Sequence, residues 1–197
     1  MSETDLTESA RTRVSPPMPD GTVNQNPDDI SFWALVREDL ASNEGFFAQG
    51  FWALFCHRFG NWRMGVGSKI LRAPLSMFYK VWEKWVQVTC GIHLPYTTSV
   101  GRRVTLEHFG GMILVARSIG HDVTIRQNTT FGVRTKEDLN GKPTIGDGVD
   151  IGVGAVLIGP VVIGEGAVIG ANAVVIDDVP AGAIAVGVPA KIKTRGE

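Results

Sequence analysis

From residue 91 onward the aliphatic positions of the chain recur every six residues. Ile145, Ile151, Leu157, Ile163, Ile169 and Val175 stand six apart. Four residues after each come Val149, Ala155, Val161, Ala167, Ala173 and Val179. Gly146, Gly152, Gly164 and Gly170 follow four of the first set directly. Upstream, Leu94, Val100 and Leu106 share the period, and after one extra residue Ile113, Ile119, Ile125 and Phe131 resume it. An α-helix repeats at 3.6 residues and a simple strand at 2, so neither explains an unbroken six. Hexapeptide periodicity predicts a parallel β-helix in which each repeat forms one short flat face and three repeats close a triangular coil. The aliphatic residue points into the prism, the small residue fits beside it, and glycines permit the corners. Roughly five coils stacked about 4.8 Å apart would stand about 24 Å tall. Each coil buries its neighbour, so a lone coil would not be stable.

Before residue 91 the pattern is helical. Ser31 is a plausible N-cap for a helix through about Ala41. A second helix is expected over Phe46–Phe59 and ended by Gly60. A third is expected from Ser68 or Pro74 to about Thr89, with Leu75, Phe78, Tyr79, Trp82, Trp85 and Val86 at helical spacing. Residues 1–29 hold Pro16, Pro17, Pro19 and Pro27 among polar residues, and their acids outnumber their bases by six to two. Such a segment cannot bury enough apolar surface to offset its ordering entropy and reads as a disordered tail. The expected organisation is therefore a tail over 1–29, a helical region over 30–90, the β-helix over 91–188 and a C-terminal tail over 189–197.

Composition sharpens this division. All five tryptophans and seven of nine phenylalanines precede residue 91, whereas 18 of 24 glycines lie from Gly91 onward. A formal net charge of −1 over 197 residues excludes a generally basic nucleic-acid binder. Cys56 and Cys90 cannot form a disulfide framework and lack metal-site spacing, so a reducing, cytoplasmic setting fits. No apolar run reaches the roughly 18 residues that a membrane span needs. The Trp-, Tyr- and Lys-bearing third helix reads first as a cap on its own chain or a partner subunit. Its second reading is peripheral contact with the inner face of a membrane.

The chemistry-bearing residues cluster at irregularities of the repeat. His108 sits at its only one-residue dislocation, Leu106-Glu107-His108-Phe109-Gly110-Gly111, where a bulge can re-aim a side chain. Histidine titrates near neutrality and is the commonest general base. His57 reads as structural and His121 as a solvent-facing turn residue. Between Phe131 and Ile145 the repeat is two residues too long. The polar run Val133–Pro143 should leave the prism as a loop, a frequent carrier of function.

These residues resemble the serine acetyltransferase family of hexapeptide acyltransferases. The resemblance rests on Leu106–Gly111, the loop, the repeats, Gly50-Phe51-Trp52-Ala53-Leu54, His57–Trp62 and the ending Ala185–Lys191. It covers about residues 32–193. It is closest to the shorter members associated with bacterial exopolysaccharide synthesis, through Arg37-Glu38-Asp39, Gly65–Leu71 and Leu94-Pro95-Tyr96. The resemblance implies a left-handed β-helix and acetyl-CoA as co-substrate, without a metal. It also implies a homotrimer with sites between subunits. His108 matches the base that takes the acceptor hydroxyl's proton, and Glu107 stands where the family has aspartate. A second, orienting aspartate falls on His93, so orientation would pass to Glu107, a backbone carbonyl or Asp39. The adjacent Arg and His that grip the substrate carboxylate are replaced by Gly141 and Lys142. The guanidinium clamp is therefore absent from those positions; Lys142 would meet a carboxylate or phosphate as a point charge, and Arg134 and Lys136 are further sources of charge. Matching positions for CoA are Gly132, Gly154, Ala155 and Ala173, with Lys191 near the nucleotide phosphates.

The expectation is an acetyl-CoA-dependent O-acetyltransferase acting on a sugar hydroxyl of a bacterial polysaccharide or its precursor. His108 and Glu107 would be catalytic, and His93, Asp39, Arg134 and Lys142 would bind the acceptor. The alternative is a serine O-acetyltransferase serving cysteine biosynthesis. A non-catalytic β-helix scaffold is a lesser alternative. A metalloenzyme of the γ-carbonic anhydrase type would need His93, His108 and His121 as ligands, and their spacings of 15 and 13 residues differ from that pattern.

Overall fold

The structure, a computed structural model, describes residues 15–19 and 21–194. Three helices precede a parallel β-solenoid. Helix α1 spans Phe32–Ser42, α2 spans Gln49–Trp62 and α3 spans Lys69–Cys90. Ser31 precedes α1 in an extended conformation and accepts the Leu35 N–H through its carbonyl, not its hydroxyl. Gly60, expected to end α2, lies inside it. A Cβ there would come within 2.5 Å of the Tyr79 ring, so this glycine lets α2 approach α3 rather than stopping the helix. Ser68 caps α3 at the Leu71 N–H, and Gly91 closes it in the left-handed conformation (φ 64°).

Beyond Gly91 short strands stack on three faces. The first face orders Ile92–His93, Met112–Leu114, Thr130–Gly132, Val156–Ile158 and Val174–Val175, all parallel. The second runs through Ser99–Val100, Ser118–Ile119, Thr144–Ile145 and Val162–Ile163, with a last bridge from Ile163 to Val179. The third runs from Thr105–Glu107 to Ile184–Val186. This is the β-helix that the period of six predicts, in about five turns. Ile151, Leu157, Ala155 and Ala173 are fully shielded, and the columns form one continuous core.

The register departs from expectation at one coil. Leu114, not Ile113, pairs with Phe131, and Ile113 is 45% exposed while Met112 and Leu114 are buried. The inward column on the first face is therefore Leu94, Leu114, Phe131, Leu157 and Val175. Eight residues separate Leu106 from Leu114 and five separate Leu114 from Ile119, so two extra residues enter at the Glu107–Gly111 corner and the next corner gives one back. A one-residue slip exchanges the faces of a strand, which is why the sequence period alone misplaced Ile113.

The lower edge of the first coil is closed by side chains of the helical region. Asn43 accepts the Leu106 N–H at 2.9 Å and donates to the Val104 carbonyl at 2.8 Å. Arg58 donates to the carbonyls of Val100 (2.7 Å) and Gly101 (2.6 Å), and His57 Nε2 bonds the Thr98 carbonyl at 2.9 Å. At the upper end, Lys191–Lys193 turns back antiparallel on Ile184–Val186. Residues 189–194 are thus not a loose tail.

The N-terminal expectation also changes. Residues 1–14 and residue 20 lie outside the described part, but residues 15–17 and 25–26 are bonded to the body. Ser15 donates to Asp138 at 2.7 Å, Arg117 donates to the Pro16 and Pro17 carbonyls, and Asn26 donates to the Arg58 carbonyl. Backbone and side-chain polar groups supply what the segment's few apolar residues do not.

Candidate active site

The widened corner carries the chemistry. Other coils turn from the third face to the first with one positive-φ residue, such as Asn128, Gly154 or Asn172. The Leu106–Leu114 corner has three: His108 (φ 61°), Gly110 (φ 103°) and Gly111 (φ 66°). The left-handed region is uncommon for a residue with a side chain, and histidine is among those that enter it. Here it lifts the imidazole out of the ladder, and His108 is exposed.

Three anchors hold this corner. Asn43 fixes the strand leading into it. Asn128 donates its N–H to the Gly110 carbonyl (3.1 Å), and a Cβ on Gly111 would lie 2.4 Å from the Asn128 amide oxygen. Gly91 packs beneath, where a Cβ would approach Gly110 Cα within 2.9 Å. Glycine at 91 and 111 lets neighbouring segments crowd the corner, whereas Gly110 supplies its left-handed backbone with open space around it.

His108 borders a cavity of about 730 Å³ between the corner and the α1–α2 connection, lined also by Glu107, Thr124, Glu44, Phe47 and Gln49. Glu107 lies beside His108, but its carboxylate meets Arg126 Nε at 2.8 Å, and Arg126 reaches on to Asp150. The expected orienting contact from Glu107 to His108 is therefore not the one the carboxylate makes. Arg126, Asp150, Asn43 and Asn128 were missed by the sequence reading. The only available signal was the glycine-rich dislocation itself.

The other expected residues separate into two groups. Asp39 is fully buried in an ion pair with Arg58 (2.9 and 3.2 Å), so it neither reaches an acceptor nor orients His108. Burial pushes its carboxyl above the usual range, and the Arg58 guanidinium opposes that rise. Ala155 and Ala173 are fully buried inside the prism, and their carbonyls accept the Thr130 and Val156 N–H groups, so their side chains cannot line a CoA groove. Gly154 is held by stacking, since a Cβ would meet Asn172 at 2.2 Å. Arg134 lies along the coils, beside Gly159 and bonded to the Ile176 carbonyl, where it braces the loop base.

The second group stays open. Gly132 faces outward, with only the Ile158 side chain near a Cβ position. Lys191 is exposed. His93 is partly exposed on the first face, and its Nδ1 lies 2.9 Å from the Gln87 amide. Lys142 is half-buried near Arg117, and both burial and that guanidinium hold its amine below the usual range. Neither Lys142 nor His93 lines the His108 cavity. His121 is partly buried and accepts the Arg102 N–H. Among the described residues no three His, Cys, Asp or Glu side chains gather as metal ligands would.

A hexapeptide β-helix with an outward imidazole at a widened corner defines a class, the hexapeptide-repeat transferases. Residues 142–177 match the family model described as bacterial transferase hexapeptide (six repeats). The serine acetyltransferase of Mycobacterium tuberculosis is 34% identical over 148 residues, covering 75% of this chain and 62% of that protein. The protein named "Putative colanic acid biosynthesis acetyltransferase WcaB" of Escherichia coli K12 is 31% identical over 135 residues, covering 67% of this chain and 80% of its own length. Among solved structures, soybean serine acetyltransferase superposes with a TM-score of 0.70 at 29% identity, covering 83% of this chain and 69% of that one. A serine acetyltransferase in complex with CoA gives 0.68 at 25% identity, covering 83% and 70%. The chain belongs to the hexapeptide-repeat transferase family, in its serine acetyltransferase-like branch. It spans less than two thirds of the serine acetyltransferases it matches in sequence.

Proposed function

We propose that the chain is an acetyl-CoA-dependent O-acetyltransferase of serine acetyltransferase type, with His108 as general base. The observation that carries this reading is the exposed imidazole at the one corner where the ladder opens, beside a cavity of about 730 Å³. A neutral alcohol is a poor nucleophile until its proton is taken. Imidazole accepts that proton as the hydroxyl oxygen attacks the thioester carbonyl, and the imidazolium returns it to the departing CoA sulfur. Holding both substrates at one corner makes the attack effectively unimolecular. Gly132, open on the first face, and exposed Lys191 are the matching CoA positions that remain available. The relative solved with CoA supports that donor.

L-serine is the first acceptor to test, because the relatives in both sequence and structure carry that activity in their names. A glycan hydroxyl is the second reading, favoured by two observations. The chain covers 80% of WcaB, against 62% of the mycobacterial serine acetyltransferase. At the loop positions of the carboxylate clamp stand Gly141 and a half-buried Lys142, and neither is a guanidinium. A homotrimer with the site completed by a neighbour belongs to the same proposal, supported by the outward apolar residues Ile113 and Val162 on two faces.

Purified protein with acetyl-CoA, assayed for free thiol, separates the readings. Release dependent on L-serine supports the first, and release dependent on nucleotide-sugars or oligosaccharides alone supports the second. No release with any hydroxyl acceptor overturns the enzymatic proposal. Light scattering showing a monomer at micromolar concentration would overturn the trimer.

A further inference from the structure

Helix α3 is apolar on two sides. Tyr79, Val86 and Cys90 face inward and are buried. On the opposite side Ile70, Met77, Phe78, Val81, Trp85 and Val88 form a second stripe at helical spacing, and each is more than half exposed. Three of them continue into a groove of about 840 Å³ between the helices, whose rim includes exposed Trp33 and Trp62. An exposed apolar surface of this extent marks an interaction site.

The charges beside it indicate what covers it. On a helical projection Lys69, Lys80 and Lys84 occupy the polar sector next to the open stripe. The helix carries four cations, counting Arg72, against the single acid Glu83. Lysines at the border of a Trp- and Phe-bearing stripe can reach phosphates while their stems lie on the apolar surface. A second copy packed antiparallel through the same patch would bring like-charged lysine rows together. No helix among the described residues is long and apolar enough to cross a membrane. We infer that the outer face of α3 and its aromatic groove dock on the surface of an anionic phospholipid bilayer, with the stripe in the acyl boundary and the lysines among the headgroups. This inference does not depend on which acceptor is acetylated.

Sedimentation of the whole protein with vesicles tests it. Binding is expected to phosphatidylcholine vesicles containing about a third phosphatidylglycerol, and to weaken in about 1 M NaCl, where charges are screened within about 3 Å. Lys80→Gln with Lys84→Gln should weaken that binding by about thirty-fold, at about 1 kcal/mol per cation. Val81→Asp with Val88→Asp should weaken it by at least about ten-fold, with the melting temperature unchanged because both side chains are exposed. Failure to sediment with anionic vesicles, or binding that ignores both double variants, overturns the inference. So does a concentration-dependent gain in mass without vesicles that Val81→Asp with Val88→Asp abolishes, since a second copy would then cover the stripe.

Discussion

Replacing Asp39 by asparagine keeps the shape of the side chain and removes its charge. The change strands the Arg58 guanidinium, which is fully buried and gives two of its hydrogen bonds to that carboxylate, at 2.9 and 3.2 Å. Breaking one side of a buried ion pair costs about 3–5 kcal/mol. Two hydrogen bonds to a charged group, at about 1.5–3 kcal/mol each, give the same order. The effect propagates, because the same guanidinium closes the Val100 and Gly101 carbonyls of the first coil. For a chain of this size about 2–4 °C is lost per kcal/mol, so Asp39→Asn should lower the melting temperature by about 6–20 °C. Circular dichroism at fixed protein concentration reads this, since assembly would make the midpoint concentration-dependent. The KM for the acceptor should not move in the enzyme that remains folded. An unchanged melting temperature together with a KM raised more than about ten-fold would refute the reasoning and return Asp39 to the acceptor site.

Three other outcomes follow from the same structure. His108→Asn, which tolerates the left-handed corner, should lower kcat by about 10²–10⁴-fold with little change in melting temperature; activity near wild type would remove the imidazole from the chemistry. Burial holds His57 down to about 3, whereas in the unfolded chain it titrates near 6.5. The unfolded state therefore binds the extra proton as pH falls through this window, and stability drops by about 1.4 kcal/mol per pH unit, or about 2 kcal/mol between pH 6.5 and 5. Urea unfolding at both pH values should show this loss in the wild type and not in His57→Gln; an equal slope in both assigns it elsewhere. Leu114→Ala should cost the fold about 2–5 kcal/mol, whereas Ile113→Ala should leave the folded protomer nearly as stable and weaken association of copies, read by light scattering. A fold destabilised at Ile113 and not at Leu114 would mean the register is displaced by one residue.

The repeat was legible because each buried column requires an aliphatic side chain at the same phase, and five coils repeat that requirement. It failed locally at Ile113, where the corner lengthened by two residues and adjacent apolar residues, Met112 to Leu114, offered no contrast of phase. Gly60 misled because glycine marks both helix ends and close helix contacts, and only the neighbouring helix distinguishes them. At the site, the unusual corner around His108 could be read from its glycines. Its supports could not, because Asn43, Asn128 and Arg126 are distant in sequence and act through backbone contacts or a cross-strand ion pair. Asp39 was expected at the acceptor, yet its carboxylate is spent on Arg58, whose guanidinium satisfies the solenoid's first turn. The side chains of Ala155 and Ala173 serve the interior, where both are fully buried.

A stack of near-identical rungs has no built-in length, and each exposed rung is a template for another chain. Here the template is withheld at both ends. Below, Asn43, His57 and Arg58 occupy the hydrogen-bonding groups that an incoming strand would use. Above, residues Lys191–Lys193 run the opposite way and present cations at the rim. A parallel newcomer therefore meets either amide and guanidinium groups or a strand of wrong polarity, and the column ends as a discrete particle instead of seeding a filament.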